Sequence, residues 1–124
     1  VPALVVYSQQ LRLKTATRQV VGLVSLARQQ AISSRTEHSV LVDPEDHEVI
    51  MMNVRSGEVH EKRVKLPSSV SIEVQVGGQP VQDKQVVFRP TGSLNGRTTS
   101  LVLADRERQQ TITVTAATGA VSVH

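Results

Sequence analysis

The stretch LRLKTATRQVVGLVSLARQQAISS, residues 11–34, decides the fold. Apolar side chains recur in it at Leu13, Ala16, Val20, Leu23, Ala27 and Ala31, in steps of three and four. A helix completes a turn in about 3.6 residues, so these steps stack on one side and form an apolar stripe. Val24 and Leu26 widen the stripe, while Arg12, Gln19, Arg28 and Gln29 fall largely on the other faces. From Ala3 to Ser33 there is no Pro and only Gly22, which predicts one long amphipathic helix as the spine of residues 1–34. Pro2 suits a helix start, and it suits equally a kink in a longer helix, because it lacks the amide proton and crowds the preceding turn. Both readings stay open.

Beyond Ser33-Ser34 the period changes to two. Val40 and Val42, Val49 and Met51, then Val70, Ile72, Val74 and Val76 each skip one residue. So do Val86 and Phe88, Leu101 and Leu103, Ile112 and Val114, and Val121 and Val123. Alternation sends successive side chains to opposite faces of a strand, which predicts about eight short strands. Turn chemistry separates them at Asp43-Pro44-Glu45-Asp46, Arg55-Ser56-Gly57, Leu66-Pro67-Ser68, Gly77-Gly78-Gln79-Pro80, Arg89-Pro90-Thr91-Gly92, Leu94-Asn95-Gly96 and Thr118-Gly119. One helix followed only by strands on short turns predicts an α+β fold, the stripe covering antiparallel sheet. Two small sheets are compatible with this. No repeat or linker divides residues 1–124, so a single domain is expected, with a helical spine at 1–34 and a β-rich part at 35–124.

Composition narrows the functions. With 39% hydrophobic and 20% charged residues in 124, the chain falls among globular domains. Its only aromatic residues are Tyr7 and Phe88, which argues against a stacking platform for bases or sugars. There is no Cys, hence no disulfide, thiolate metal site or cysteine nucleophile. No apolar run reaches the roughly 18–20 residues that cross a bilayer. The chain begins at Val1-Pro2 rather than Met, and a piece of a longer protein is expected. Residues 1–35 hold Arg12, Lys14, Arg18, Arg28 and Arg35 with no acid, a net +5; the chain total of +3 therefore leaves −2 for the remainder. The basic character belongs to the helix, either as a solvated face or as a surface for anionic partners.

Chemical motifs are few. Asp43-Pro44-Glu45-Asp46-His47-Glu48 offers carboxylates, but Pro interrupts the alternating ligands of a calcium loop and the turn-permitting Gly is missing, so a charged hairpin turn is expected. His38, His47, His60 and His124 are scattered, and the reading favours surface positions over metal ligation. There is no G-x-S-x-G elbow. Thr91-Gly92-Ser93-Leu94-Asn95-Gly96 lacks the Lys-Ser/Thr ending and following helix of a phosphate cradle. No catalytic set, metal site or cofactor motif is identified.

Leu23-Val24-Ser25-Leu26-Ala27-Arg28-Gln29-Gln30-Ala31-Ile32 resembles the passage out of the N-terminal helix in the GspH/FimT family of pilin-like proteins, with Val40-Leu41-Val42 in the place of the first strand. Val87-Phe88-Arg89-Pro90-Thr91-Gly92-Ser93 is similar to the family's phenylalanine, turn and Gly-Ser segment. Ile112-Thr113-Val114 and Thr118-Gly119-Ala120-Val121-Ser122-Val123 resemble its last hairpin. The segment from Asp43 to Lys84 matches only in its strand-rich character. The resemblance implies a pilin-like fold and a non-catalytic minor subunit. Its precursor would be cleaved by prepilin peptidase and anchored in the bacterial inner membrane by an apolar helix preceding Val1, with this part in the periplasm. The implied partners are other minor and major pseudopilins at the tip of a type II secretion pseudopilus. Apolar Leu4, Val5, Val6, Tyr7 and Leu11, near the helix start, are the candidate subunit contacts.

One type IV pilus branch of the family binds DNA through basic residues, prominently in its C-terminal tail. Here the tail Ala120-Val121-Ser122-Val123-His124 has no Arg or Lys, which argues against nucleic acid. The alternative DNA contacts are Arg97, Arg106 and Arg108, with Asp105 and Glu107 interleaved to weaken their field.

Overall fold

The computed structural model of the chain describes residues 2–53, 59–82 and 84–124, the side chains of 2–10 and 59–61 excepted. Helix α1 runs over Pro2–Ser34. Leu13, Ala16, Val20, Leu23, Ala27 and Ala31 are all buried, with Val24 beside them, so the steps of three and four locate the inward face correctly. The helix ends where Arg35 takes a left-handed backbone, φ 55°, which reverses the chain into the first strand.

The strands follow in chain order: β1 His38–Asp43, β2 Glu48–Asn53, β3 Val59–Lys65, β4 Ser71–Val76, β5 Gln79–Pro80, β6 Gln85–Phe88, β7 Thr99–Ala104, β8 Gln109–Val114 and β9 Val121–Val123. They form a four-stranded sheet of order β3-β2-β1-β6 and a five-stranded sheet of order β5-β4-β7-β8-β9. Every pairing is antiparallel. In the first sheet Val40 sits opposite both Met51 and Val86, and in the second Leu101 sits opposite both Val74 and Ile112. Paired residues share a face, so these rows lie inward together. The helix touches β1, β2, β3 and β6 of one sheet and β7, β8 and β9 of the other, and one core runs through all of them. Phe88, on β6, is its largest fully buried side chain.

Among the described residues no helix is long and apolar enough to cross a membrane.

One strand is not foreseen by the sequence, and two expectations need correction. Strand β3 escapes the alternation test because its sequence, Val-His-Glu-Lys-Arg-Val-Lys, is charge-rich. It is an edge strand, held by its backbone ladder to β2 and by Glu48, which lies 3.3 Å from Arg63 and 3.9 Å from Lys65. Next, Gln79–Pro80, expected within a turn, pairs with Val76 and Gln75 as the short strand β5. Finally, His38 is buried rather than at the surface, with Nδ1 2.9 Å from the Thr36 carbonyl oxygen. The same period of two that buries Val40 and Val42 carries His38 inward, since all three share one face of β1. The turn expected at Arg55-Ser56-Gly57 lies outside the described residues, as does the side chain of His60.

Candidate subunit interface

Arg28 was expected among the residues on the outer faces of the helix; it is half-buried instead. Its Nε donates to the carbonyl oxygens of Gly92, at 3.3 Å, and Thr118, at 3.2 Å. Gly92 lies in the loop from β6 to β7, which joins the two sheets, and Thr118 lies in the β8–β9 turn. The loops also bond to each other through Leu94 N–H and the Ala116 carbonyl, at 2.9 Å. Two buried glycines let them close on the guanidinium. Gly92 has φ 91°, and a Cβ there would sit 2.9 Å from the Ile32 Cδ1. Gly119 has φ 72°, and a Cβ there would collide with the Gly92 carbonyl oxygen. Segments separated by 64 and 90 residues from Arg28 thus meet at one side chain.

What remains outward on the helix is the surface offered to other molecules. Of the candidate contacts, Leu11 is 44% exposed; the side chains of Leu4, Val5, Val6 and Tyr7 lie outside the described residues. Leu11 borders a groove of about 690 Å³ between the helix and the end of the second sheet. Leu11, Lys14, Arg18 and Val21 line it from the helix, Arg108 from the turn before β8, and Gln110 and Val123 from β8 and β9. The spacing of 11, 14, 18 and 21 places the helix side in one row, a signal available in the sequence. That Arg108 and Val123 face this row is a long-range fact that no local pattern carries. Thr17, buried at the groove floor, donates its hydroxyl to the Leu13 carbonyl at 2.8 Å and is thereby satisfied.

The alternative basic cluster is not brought together. Arg97 precedes β7, while Arg106 and Arg108 follow it, so a six-residue strand separates them by about 17–20 Å. Asp105 Oδ1 accepts the backbone N–H groups of Glu107, at 2.9 Å, and Arg108, at 2.7 Å, and so caps the turn. The Asp43–His47 stretch is a hairpin turn: Asp43 Oδ1 accepts the Asp46 N–H at 3.2 Å, and His47, at φ 52°, holds Nδ1 3.0 Å from the Val70 carbonyl oxygen. Among the described residues no group of three or more His, Cys, Asp or Glu side chains could hold a metal ion.

Residues 16–118 match the family model described as type II transport protein GspH. The type IV minor pilin FimU of Pseudomonas aeruginosa PAO1 superposes with a TM-score of 0.74 at 12% identity, covering 95% of this chain and 92% of that one. The minor pseudopilin EpsH, from the type 2 secretion system of Vibrio cholerae, superposes with a TM-score of 0.73 at 13% identity, covering 91% of this chain and 96% of that one. At such identities the likeness concerns the fold. A comparison with curated protein sequences gives no match.

Proposed function

Because the chain belongs to the GspH family of minor pilin-like proteins, whose members are filament subunits rather than enzymes, we propose that it is a minor pseudopilin of a type II secretion system. In this reading residues 1–124 act as one unit and assemble with other minor and major pseudopilins at the tip of the periplasmic pseudopilus to support protein export. The full-length form is held in the inner membrane by a single pass. Leu4, Val5, Val6, Tyr7 and Leu11 are the proposed contacts with neighbouring helices.

The observation that carries the reading is the match to a type II transport protein over residues 16–118, from the buried helix stripe to the closing turn. Its test is co-purification of the tagged full-length protein from its own bacterium, with a photo-crosslinker at position 7. Recovery of adducts with pseudopilins, together with loss of export on deletion of the gene, is the expected result. Adducts confined to type IV pilins would overturn it.

A minor type IV pilin, serving pilus assembly or taking up DNA, is the second reading, favoured by the equal likeness to FimU. Against its DNA-binding form stand the separation of Arg97 from Arg106 and Arg108 and the lack of Arg or Lys after Arg108. Fluorescence anisotropy with labelled double-stranded DNA across a salt series tests it. Micromolar affinity falling steeply with salt would favour the DNA-uptake pilin.

A further inference from the structure

We propose that the groove between α1 and β9 receives an extended acidic segment of a neighbouring protein, which adds to β9 as a further strand and seats an aliphatic side chain between Leu11 and Val123. That the neighbour is another filament subunit rests on the proposed function; the chemistry of the groove does not.

Three independent observations converge on this occupant. The first is the open edge of the second sheet. Strand β9 pairs with β8 on one side and is the last strand of the order. Thr111 and His124 exchange both backbone hydrogen bonds, at 3.1 and 2.9 Å. By the alternation of an antiparallel ladder, Ser122 also turns its N–H and C=O toward β8, and Val121 and Val123 turn theirs outward. Those outward groups have no partner among the described residues, and β9 carries neither the Pro nor the Lys that commonly blunts a sheet edge. An incoming strand would satisfy them.

The second observation is apolar. Leu11 is 44% exposed and Val123 47%, two of the three large hydrophobic side chains that remain exposed among the described residues. Both border this one groove, beside half-buried Val21. An aliphatic side chain from the added strand would bury all three.

The third is charge. Lys14 and Arg18 on the helix and Arg108 on the sheet side supply three cations, and no carboxylate lines the groove among the described residues. None of the three has an ion-pair partner there, since the only described salt bridges are those of Glu48. A carboxylate on the added strand would meet guanidinium and ammonium groups in charge-assisted hydrogen bonds. A second copy of this chain would instead bring two sets of cations face to face. Nucleic acid would gain from the cations but not from an open sheet edge or aliphatic floor, and among the described residues the groove offers no aromatic ring on which a base could stack.

The probe is a fluorescein-labelled alternating Val-Glu octapeptide, with its Val-Lys counterpart and double-stranded DNA as comparisons, measured by anisotropy against the chain. The expected result is salt-sensitive binding of the Val-Glu peptide alone. It should weaken about tenfold or more in Lys14→Glu/Arg18→Glu, at two exposed positions, and comparably in Val123→Pro. Val123→Pro removes an outward N–H and leaves the β8 ladder intact, so its circular dichroism spectrum should match the parent's. Absence of binding, equal binding of Val-Lys, tighter binding of DNA, peptide-independent dimerisation or insensitivity to both variants would each overturn the proposal. The peptide carries no pseudopilin sequence, so these outcomes are independent of which filament the chain serves; the co-purification experiment decides that separately.

Discussion

Arg28 is a helix residue whose structural work is done on two distant loops. Its side chain is half-buried and its acceptors are neutral carbonyls, so Arg28→Ala should cost about 1–2 kcal/mol, read from the urea midpoint. Arg28→Lys should recover little of it, because both bonds come from the one Nε–H and lysine carries a methylene at that point of its stem. Gly119→Ala should cost more, about 2–4 kcal/mol, since it combines a left-handed backbone with a collision against the Gly92 carbonyl. Circular dichroism melting of the variant checks this. Of these residues the sequence reveals unequal amounts. Gly119 and Gly92 stand out as turn glycines, and the family resemblance draws the eye to Ala27-Arg28, but helical periodicity sends Arg28 to the outer faces. Periodicity ranks positions by angle around one helix and knows nothing of a loop that arrives from 90 residues away.

Among the elements, legibility follows burial. The helix stripe and the paired rows of β1, β2, β4, β6, β7 and β8 are visible because one face of each is apolar and packed in the core and the other is not, which writes the geometry into the order of residues. Strand β3 is an edge held by its ladder and by ion pairs to Glu48, so its residues carry no such record. Strand β9 is visible as Val-Ser-Val, but that its edge is open follows from sheet order, which is set by the whole chain. The groove shares this split: its helix row is readable and its sheet side is not. At this scale Phe88 is the test of how the first sheet is held to the helix. It is fully buried on a four-residue strand, and Phe88→Ala should destabilise the protein by about 3–5 kcal/mol, measured by urea denaturation.

For the whole molecule, the helix supplies a common core to sheets that otherwise share little backbone hydrogen bonding. The sheets should therefore unfold together. Thermal unfolding followed by far-ultraviolet circular dichroism and by calorimetry should give one transition, with van't Hoff and calorimetric enthalpies in agreement; two separable transitions would show that the sheets are independent units. The Arg28 clasp adds a consequence for the order of events in biosynthesis. The helix is made first, but its second acceptor, Thr118, emerges only after eight of the nine strands have been synthesised. Contacts of such long range form late, because the intervening chain must first be ordered. A chain that stops short of Thr118 keeps only the Gly92 acceptor, so half of the clasp waits on the last hairpin and the helix is held to both sheets only once that hairpin has closed.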